Sequence, residues 1–291
     1  MTDMPVPAYP SSSEARREEG FLHARDNLRL YWQRYTPPSP RATVAVAPGG
    51  GDHAGRYPGL TAALARAGFE VALLDFRGHG QSDGRRWHVD AFSDYVGDLD
   101  VFMAHVRAGA AGRKVFLVGH SQGGLVATLW ALAGRREVAG VVLSSPYFKL
   151  ALDPPRLKVM GARLAGALVP WLPVATGLRM EDLTSDEDMR RWTEADPLYG
   201  RATTPRWFAE SQRAQRSVLP RAPTFAHPLL VLVGEADRVA DAGAARAFFD
   251  AAGSADKAFQ RYPGFRHELF NEREAGRPIG DAVAWLRQRA G

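Results

Sequence analysis

The chain has 291 residues, 45% of them hydrophobic and 24% charged, an ordinary composition for a folded globular protein and far from disordered or membrane-spanning classes. It has no cysteine, which excludes disulfides, zinc ribbons, iron–sulfur ligation and a thiol nucleophile together. The formal charge of +5 comes from basic residues that are nearly all arginine, dispersed and accompanied by acidic neighbours. That dispersal argues against nucleic-acid binding and leaves attraction to an anionic lipid surface open.

In chain order, residues 1–16 are rich in proline and serine, lack periodicity and read as a flexible tail. They contain no apolar core of the kind a secretory leader needs, and no later run approaches about 18 apolar residues. The expected location is therefore cytoplasmic, or at most peripheral to a membrane. Structure is expected from near Glu19, with strands over 21–24 and 28–35 around the turn-forming pair Asp26–Asn27. Pro37, Pro38 and Pro40 then interrupt the chain, so the pair reads as an antiparallel hairpin at a sheet edge.

Beyond it, short and nearly continuous apolar runs alternate with amphipathic stretches of helical length. The runs fall at 43–47, 70–74, 114–118, 139–143, 229–233 and 257–262. Uniformly apolar strands suit a mostly parallel sheet buried on both faces, with helices as crossovers, which is a doubly wound α/β architecture. From Tyr147 to about Phe225 the alternation stops. Pro155 opens a helical stretch carrying Leu157, Met160, Leu164 and Leu168, followed by Pro170, Trp171 and Pro173. A second helix is expected from Thr184, with Glu187 completing a capping box. An insertion this long between strands reads as a helical cap over the strand ends. The expected organisation is thus a tail at 1–16, a core formed by 17–146 and 226–291, and a cap at 147–225.

Gly119-His120-Ser121-Gln122-Gly123 follows the strand 114–118 and precedes an apolar helix. Chance alone would produce G-x-S-x-G in roughly one of eight chains of this composition, so the strand–turn–helix context is what makes Ser121 a candidate nucleophile. A serine hydroxyl needs a histidine to accept its proton and a carboxylate to orient that histidine. In this kind of fold the chain order is serine, acid, histidine. Glu235 and Asp237 lie just past the strand 229–233; Asp237 suits a tight, partly buried bend better, and Glu235 stands in reserve. His267 is the one histidine that comes later still. His53, His79 and His120 fall in loops around the same strand ends, where they could orient groups or line a pocket, and no histidine has metal-ligand spacing.

An acyl-transfer site also needs amide donors for the developing oxyanion. The Gln122 amide is one candidate, and the loop Pro48-Gly49-Gly50-Gly51-Asp52-His53 is placed to supply another. Gly49-x-Gly51-x-x-Ala54 with Asp75 also contains the elements of a dinucleotide fingerprint. The preceding hairpin and the glycine-rich turn Phe76-Arg77-Gly78-His79-Gly80 count against that reading, and no cofactor is expected.

The segments Gly49-Gly50-Gly51-Asp52-His53-Ala54-Gly55-Arg56-Tyr57 and Asp75-Phe76-Arg77-Gly78-His79-Gly80-Gln81-Ser82-Asp83-Gly84 resemble the H-G-x-G-E-H-S-G-R-Y and D-x-R-G-H-G-x-S-x-G segments of a known family. This is the group of monoacylglycerol lipase and lysophospholipase-like α/β-hydrolases, which shares a sequence family with the S33-type serine aminopeptidases. Ser145-Pro146, Asp196-Pro197-Leu198 and His267-Glu268-Leu269-Phe270-Asn271-Glu272 look like further landmarks, so the similarity covers nearly the whole chain after about Glu19. Two positions depart from the pattern: Pro48 stands where the loop usually opens with histidine, and Gly50 where the pattern has a residue with a side chain.

The resemblance implies an α/β-hydrolase fold with a mostly parallel eight-stranded sheet, helices on both faces and a helical cap insertion. It implies Ser121, Asp237 and His267 as a triad and the amides of Gly50 and Gln122 as oxyanion donors. The expected substrate is a small-molecule or lipid ester of monoacylglycerol or lysophospholipid type, with no nucleic-acid partner, no metal, and peripheral membrane contact through the apolar stretch 157–172. Two other readings stay open. One is an amide or peptide hydrolase of the S33 type, for which the acidic cluster Glu181, Asp182, Asp186, Glu187 and Asp188 could bind a substrate amine. The other is a scaffold of the same fold that binds ligand without catalysis. The sequence carries no mark of an oligomeric state.

Overall fold

The computed structural model of the protein describes residues 9–11, 14–134, 138–151, 161 and 168–291. Eight strands form one sheet: β1 (Arg16–His23), β2 (Arg29–Thr36), β3 (Ala42–Ala47), β4 (Phe69–Leu74), β5 (Val115–His120), β6 (Gly140–Ser144), β9 (Leu229–Gly234) and β10 (Lys257–Tyr262). Between β6 and β9, β7 (Val174–Ala175) and β8 (Ala202–Thr203) pair as a separate antiparallel ladder. The described helices are α1 (Pro58–Arg66), α2 (Ser93–Gly109), α3 (Gln122–Leu132), α4 (Met180–Leu183), α5 (Glu187–Ala195), α6 (Pro205–Arg221), α7 (Ala242–Ala251) and α8 (Gly276–Ala290).

The sheet order is β1-β2-β4-β3-β5-β6-β9-β10, antiparallel where β2 meets β1 and β4 and parallel at every other pairing. Residues of β3, β4, β5, β6 and β9 are buried throughout. Period-two alternation divides them between two apolar layers. In β3, Val44 and Val46 join Leu60, Leu64 and Leu286 of α1 and α8, whereas Ala45 and Ala47 join Phe102, Leu125 and Phe248 of α2, α3 and α7. This is the expected doubly wound architecture.

Order begins ahead of the expected boundary of the 1–16 tail. β1 starts at Arg16, Ala15 is buried, and the Tyr9 ring stacks on Tyr35 with centroids 5.2 Å apart. An edge strand can be written in charged residues because one side of it is solvated, which is why Arg16, Arg17, Glu18 and Glu19 do not look like a strand by apolar content. The hairpin turns where expected, with Asn27 at φ 68°.

In the 147–225 segment, the expected helix carrying Leu157, Met160 and Leu164 lies outside the described residues. The second expected helix is present but starts later than Thr184. Asp186 caps α5 by accepting from the Asp188 and Met189 amides at 2.9 and 3.0 Å. The Thr184 hydroxyl instead donates to the Asn271 carbonyl at 2.8 Å, fastening this segment to the loop that follows His267. Among the described residues, no helix is long and apolar enough to cross a membrane.

Candidate active site

Ser121 sits between the end of β5 and the start of α3 with φ 50° and ψ −117°, a conformation that a residue with a side chain adopts only under constraint. The flanking glycines are required by contact. A Cβ at Gly119 would lie 2.7 Å from the Gly123 carbonyl, and one at Gly123 would lie 2.1 Å from the Ala47 carbonyl. The turn is tied down by the Ser121 amide donating to the Ser144 carbonyl at 2.9 Å and by the Tyr147 amide donating to the Ser121 carbonyl at 3.0 Å.

His267 Nε2 lies 2.8 Å from Ser121 Oγ, and its Nδ1 lies 2.8 Å from Asp237 Oδ2. The second carboxylate oxygen of Asp237 accepts from the Val239 and Ala240 amides at 2.8 and 2.9 Å. The His267 and Asp237 side chains are 4% and 2% exposed, so each charge is sheltered from water and screened little. Burial opposes the His267 cation, but the adjacent Asp237 carboxylate outweighs it and raises the pKa above the ordinary histidine value. Burial likewise opposes the Asp237 anion, and the His267 contact together with the two amides holds its pKa below the usual range. Glu235, the reserve carboxylate, is part of neither contact and pairs with Arg261 at 2.9 Å on the surface.

Gly50, Ser121, Gln122 and His267 border one cavity of about 630 Å³, walled by apolar groups that include Tyr147, Leu178 and Phe208. Gln122 is the first residue of α3, where an amide has no acceptor within its own helix. The glycine loop is braced without a histidine at position 48. The Tyr57 hydroxyl accepts from the Gly49 amide at 3.2 Å and donates to Asp52 at 2.6 Å, while the Gly51 carbonyl accepts from the Gly200 amide at 2.7 Å.

Of the three histidines expected in loops, His120 instead ends β5 and lines the cavity. Burial, reinforced by the neighbouring His267, pushes its pKa down to about 3, so it stays neutral beside the His267 ring 5.0 Å away. His53 Nε2 contacts Asp196 at 2.8 Å, and burial lowers the His79 pKa to about 4. Asp75, part of the dinucleotide-like pattern, is enclosed and accepts from the Ala54 and Gln81 amides at 2.6 and 2.8 Å. It braces the turn rather than facing a ribose site.

Sequence reasoning missed the residues that join the cap to this machinery. Arg56 is fully buried, 2.9 Å from Asp52 and 2.7 Å from Glu268 in ion pairs, and donates to the Thr193 hydroxyl at 2.7 Å. One guanidinium therefore links the glycine loop, the residue after His267 and the cap. Its place in Gly55-Arg56-Tyr57 was the available signal. Trp87 and Trp207, which contact Gln122 from two directions, had none, because a lone tryptophan in an irregular or amphipathic segment reads as ordinary packing.

The sheet order, the serine at the strand–helix turn and the inserted cap define an α/β-hydrolase. Residues 38–274 match the family model described as serine aminopeptidase, S33, and the chain belongs to that family. It is 30% identical to a monoacylglycerol lipase of Mycolicibacterium smegmatis over 94% of this chain and 98% of that protein. It is also 30% identical to a phospholipase of Bacillus subtilis over 81% of this chain and 91% of the other. The crystal structure of Paleococcus ferrophilus monoacylglycerol lipase superposes with a TM-score of 0.78 at 30% identity, covering 89% of this chain and 99% of that one. With these relatives, the chain is a carboxylic ester hydrolase.

Proposed function

We propose that the protein hydrolyses lipid esters of monoacylglycerol or lysophospholipid type through a Ser121–His267–Asp237 triad. The observation that carries this reading is the run of two 2.8 Å contacts from Asp237 through His267 to Ser121, opening on a largely apolar cavity. Ser121 Oγ bonds to the ester carbonyl carbon as its proton passes to His267 Nε2, and the carbonyl oxygen becomes an oxyanion held by the Gly50 and Gln122 amides. The oxyanion collapses, the bond to the alcohol oxygen breaks, and His267 returns the proton to the departing alcohol. Water, deprotonated by the same imidazole, then bonds to the acyl carbon, and as the bond to Ser121 Oγ breaks His267 returns the proton to that oxygen, releasing the fatty acid and restoring the serine.

The S33-type peptidase alternative gains little from the acidic cluster. Glu181 and Asp182 pair with Arg179, Glu187 with Arg190 and Asp188 with Arg191, while Asp186 caps α5. Asp52 and Glu268 do border the cavity, but both are already ion-paired with the buried Arg56. Membrane contact through the cap is supported by Leu168, Trp171, Leu172 and Val174, which are 67%, 52%, 49% and 47% exposed and close together in sequence.

The test is a panel of p-nitrophenyl esters, a monoacylglycerol, a lysophospholipid and an aminoacyl anilide. Turnover of the lipid esters ahead of the anilide is expected, with Ser121→Ala at background. Preference for the anilide would favour the peptidase reading, and a wild type inert to the whole panel would refute hydrolysis.

A further inference from the structure

Gln122 is held from its side chain as well as its backbone. Its Oε1 accepts from Trp87 Nε1 at 3.2 Å and from Trp207 Nε1 at 3.0 Å. Indole nitrogens only donate, so the carboxamide must turn its oxygen to them. Its Nε2 is thereby turned inward, where it has the buried Tyr95 hydroxyl as its neighbour. The two indoles meet edge to face with centroids 5.2 Å apart and come from different parts of the molecule: Trp87 from the segment between β4 and α2, Trp207 from the first turn of the cap helix α6. Trp87 has φ 43° and is held there by its amide donating to the Gly78 carbonyl at 3.0 Å and by the Thr203 hydroxyl donating to its carbonyl at 3.2 Å.

The same Trp87 ring lies against the glycine loop. A Cβ on Gly50 would fall 2.7 Å from Trp87 Cζ2 and 2.9 Å from Gln122 Oε1, and one on Gly51 would fall 2.7 Å from Trp87 Cζ3. This accounts for glycine at position 50: the indole fills the space that a side chain there would need.

We infer that Trp87 and Trp207 are positioning residues that clamp the Gln122 carboxamide and, with Trp87 against Gly50, fix the backbone amides of Gln122 and Gly50 relative to each other. The inference rests on the hydrolase reading above, in which those two amides receive the oxyanion. Such donors contribute only when they are already aligned with the charge that develops. Gln122 opens its helix, where the backbone is least restrained, so an anchor at its side chain restricts the amide that matters. Because Trp207 belongs to the cap, seating of the cap and alignment of the oxyanion site are one event.

The test is a double-mutant cycle on p-nitrophenyl butyrate with Trp207→Phe, Gln122→Met and the pair combined, and with Trp87→Phe as a parallel arm. Each single change is expected to lower kcat about tenfold, the scale of one lost hydrogen bond, with KM held within about twofold. Affinity for a trifluoromethyl ketone, whose adduct carries the oxyanion, should fall by the same factor as kcat/KM. The combined variant should lose no more than Gln122→Met alone. Unchanged kcat with a shifted KM or acyl-length preference would show that the indoles only line the pocket and would overturn the inference, as would losses that multiply in the cycle. If Trp87→Phe does not fold, Trp207→Phe and Gln122→Met, which keep the Trp87 ring in place, carry the test. A wild type that turns over no ester removes the hydrolase reading and this inference with it, an outcome distinct from an active wild type with indifferent variants.

Discussion

The sheet and the cap differ in how much directional polar contacts hold them. In the sheet, five central strands are buried along their whole length between two apolar layers, and Ser121, Asp237 and His267 sit on turns at its strand ends. The cap packs Trp207, Ala214 and Val218 onto the same core, and is fastened in addition by separate polar contacts: Arg56 to Thr193, His53 to Asp196, the Gly200 amide to the Gly51 carbonyl, and Trp207 to Gln122. Apolar burial is non-directional and tolerant, whereas each of these contacts depends on one group in one geometry. The proposed reacting groups therefore inherit their placement from the topology, and the cap reaches the site through a few replaceable side chains.

Changes on the sheet side should be the most severe for chemistry. Asp237→Asn is expected to lower kcat by about 10⁴ while leaving the fold intact, because the imidazole loses its orienting anion. Its pH profile carries a sign. In the proposed mechanism only neutral His267 accepts the serine proton, so activity is expected to fall as pH drops through its raised pKa. The Asn variant removes what raises that pKa and leaves burial, so the acid limb should move to lower pH. A limb that stays put or moves upward would contradict the assignment of Asp237.

Where cap and sheet meet, Arg56→Met should mainly cost stability. It strands two buried carboxylates, Asp52 and Glu268, and the expected loss is about 3–5 kcal/mol, read by thermal or urea unfolding. A variant as stable as the wild type would mean that the cap does not depend on this ion pair. Gly50→Ala should reduce kcat about tenfold by driving Trp87 off Gln122. Added to Trp87→Leu, which makes room, the same change should have little further effect. The smallest expected effect is at the cap surface. Trp171→Ser should weaken binding to anionic vesicles about fivefold while turnover of a soluble ester is unchanged. Equal binding by both forms would separate the apolar surface from any membrane role.

The same contrast explains what the sequence revealed. All eight strands of the large sheet were legible as expected segments, the five central ones because a strand buried on both faces has to be apolar along its length, and the β1 boundary was blurred where charged residues sit at a solvated edge. Ser121, Asp237 and His267 could be chosen from chain order and turn chemistry, and the structure brings His267 within hydrogen-bonding reach of both Ser121 and Asp237. The cap was legible only as an interruption. Thr184 resembled a helix cap, but its hydroxyl is engaged by Asn271 across the fold, a tertiary contact that leaves no local pattern. Trp87 and Trp207 are 120 positions apart and meet on Gln122, so no window along the chain contains both.

The central claim is that Ser121 is the nucleophile, and active-site labelling tests it most directly. Wild-type protein treated with a fluorophosphonate should gain a single adduct in its intact mass, and peptide mapping should place that adduct on Ser121, with no adduct on Ser121→Ala. Labelling on another residue, or full ester hydrolysis by Ser121→Ala, would contradict the account.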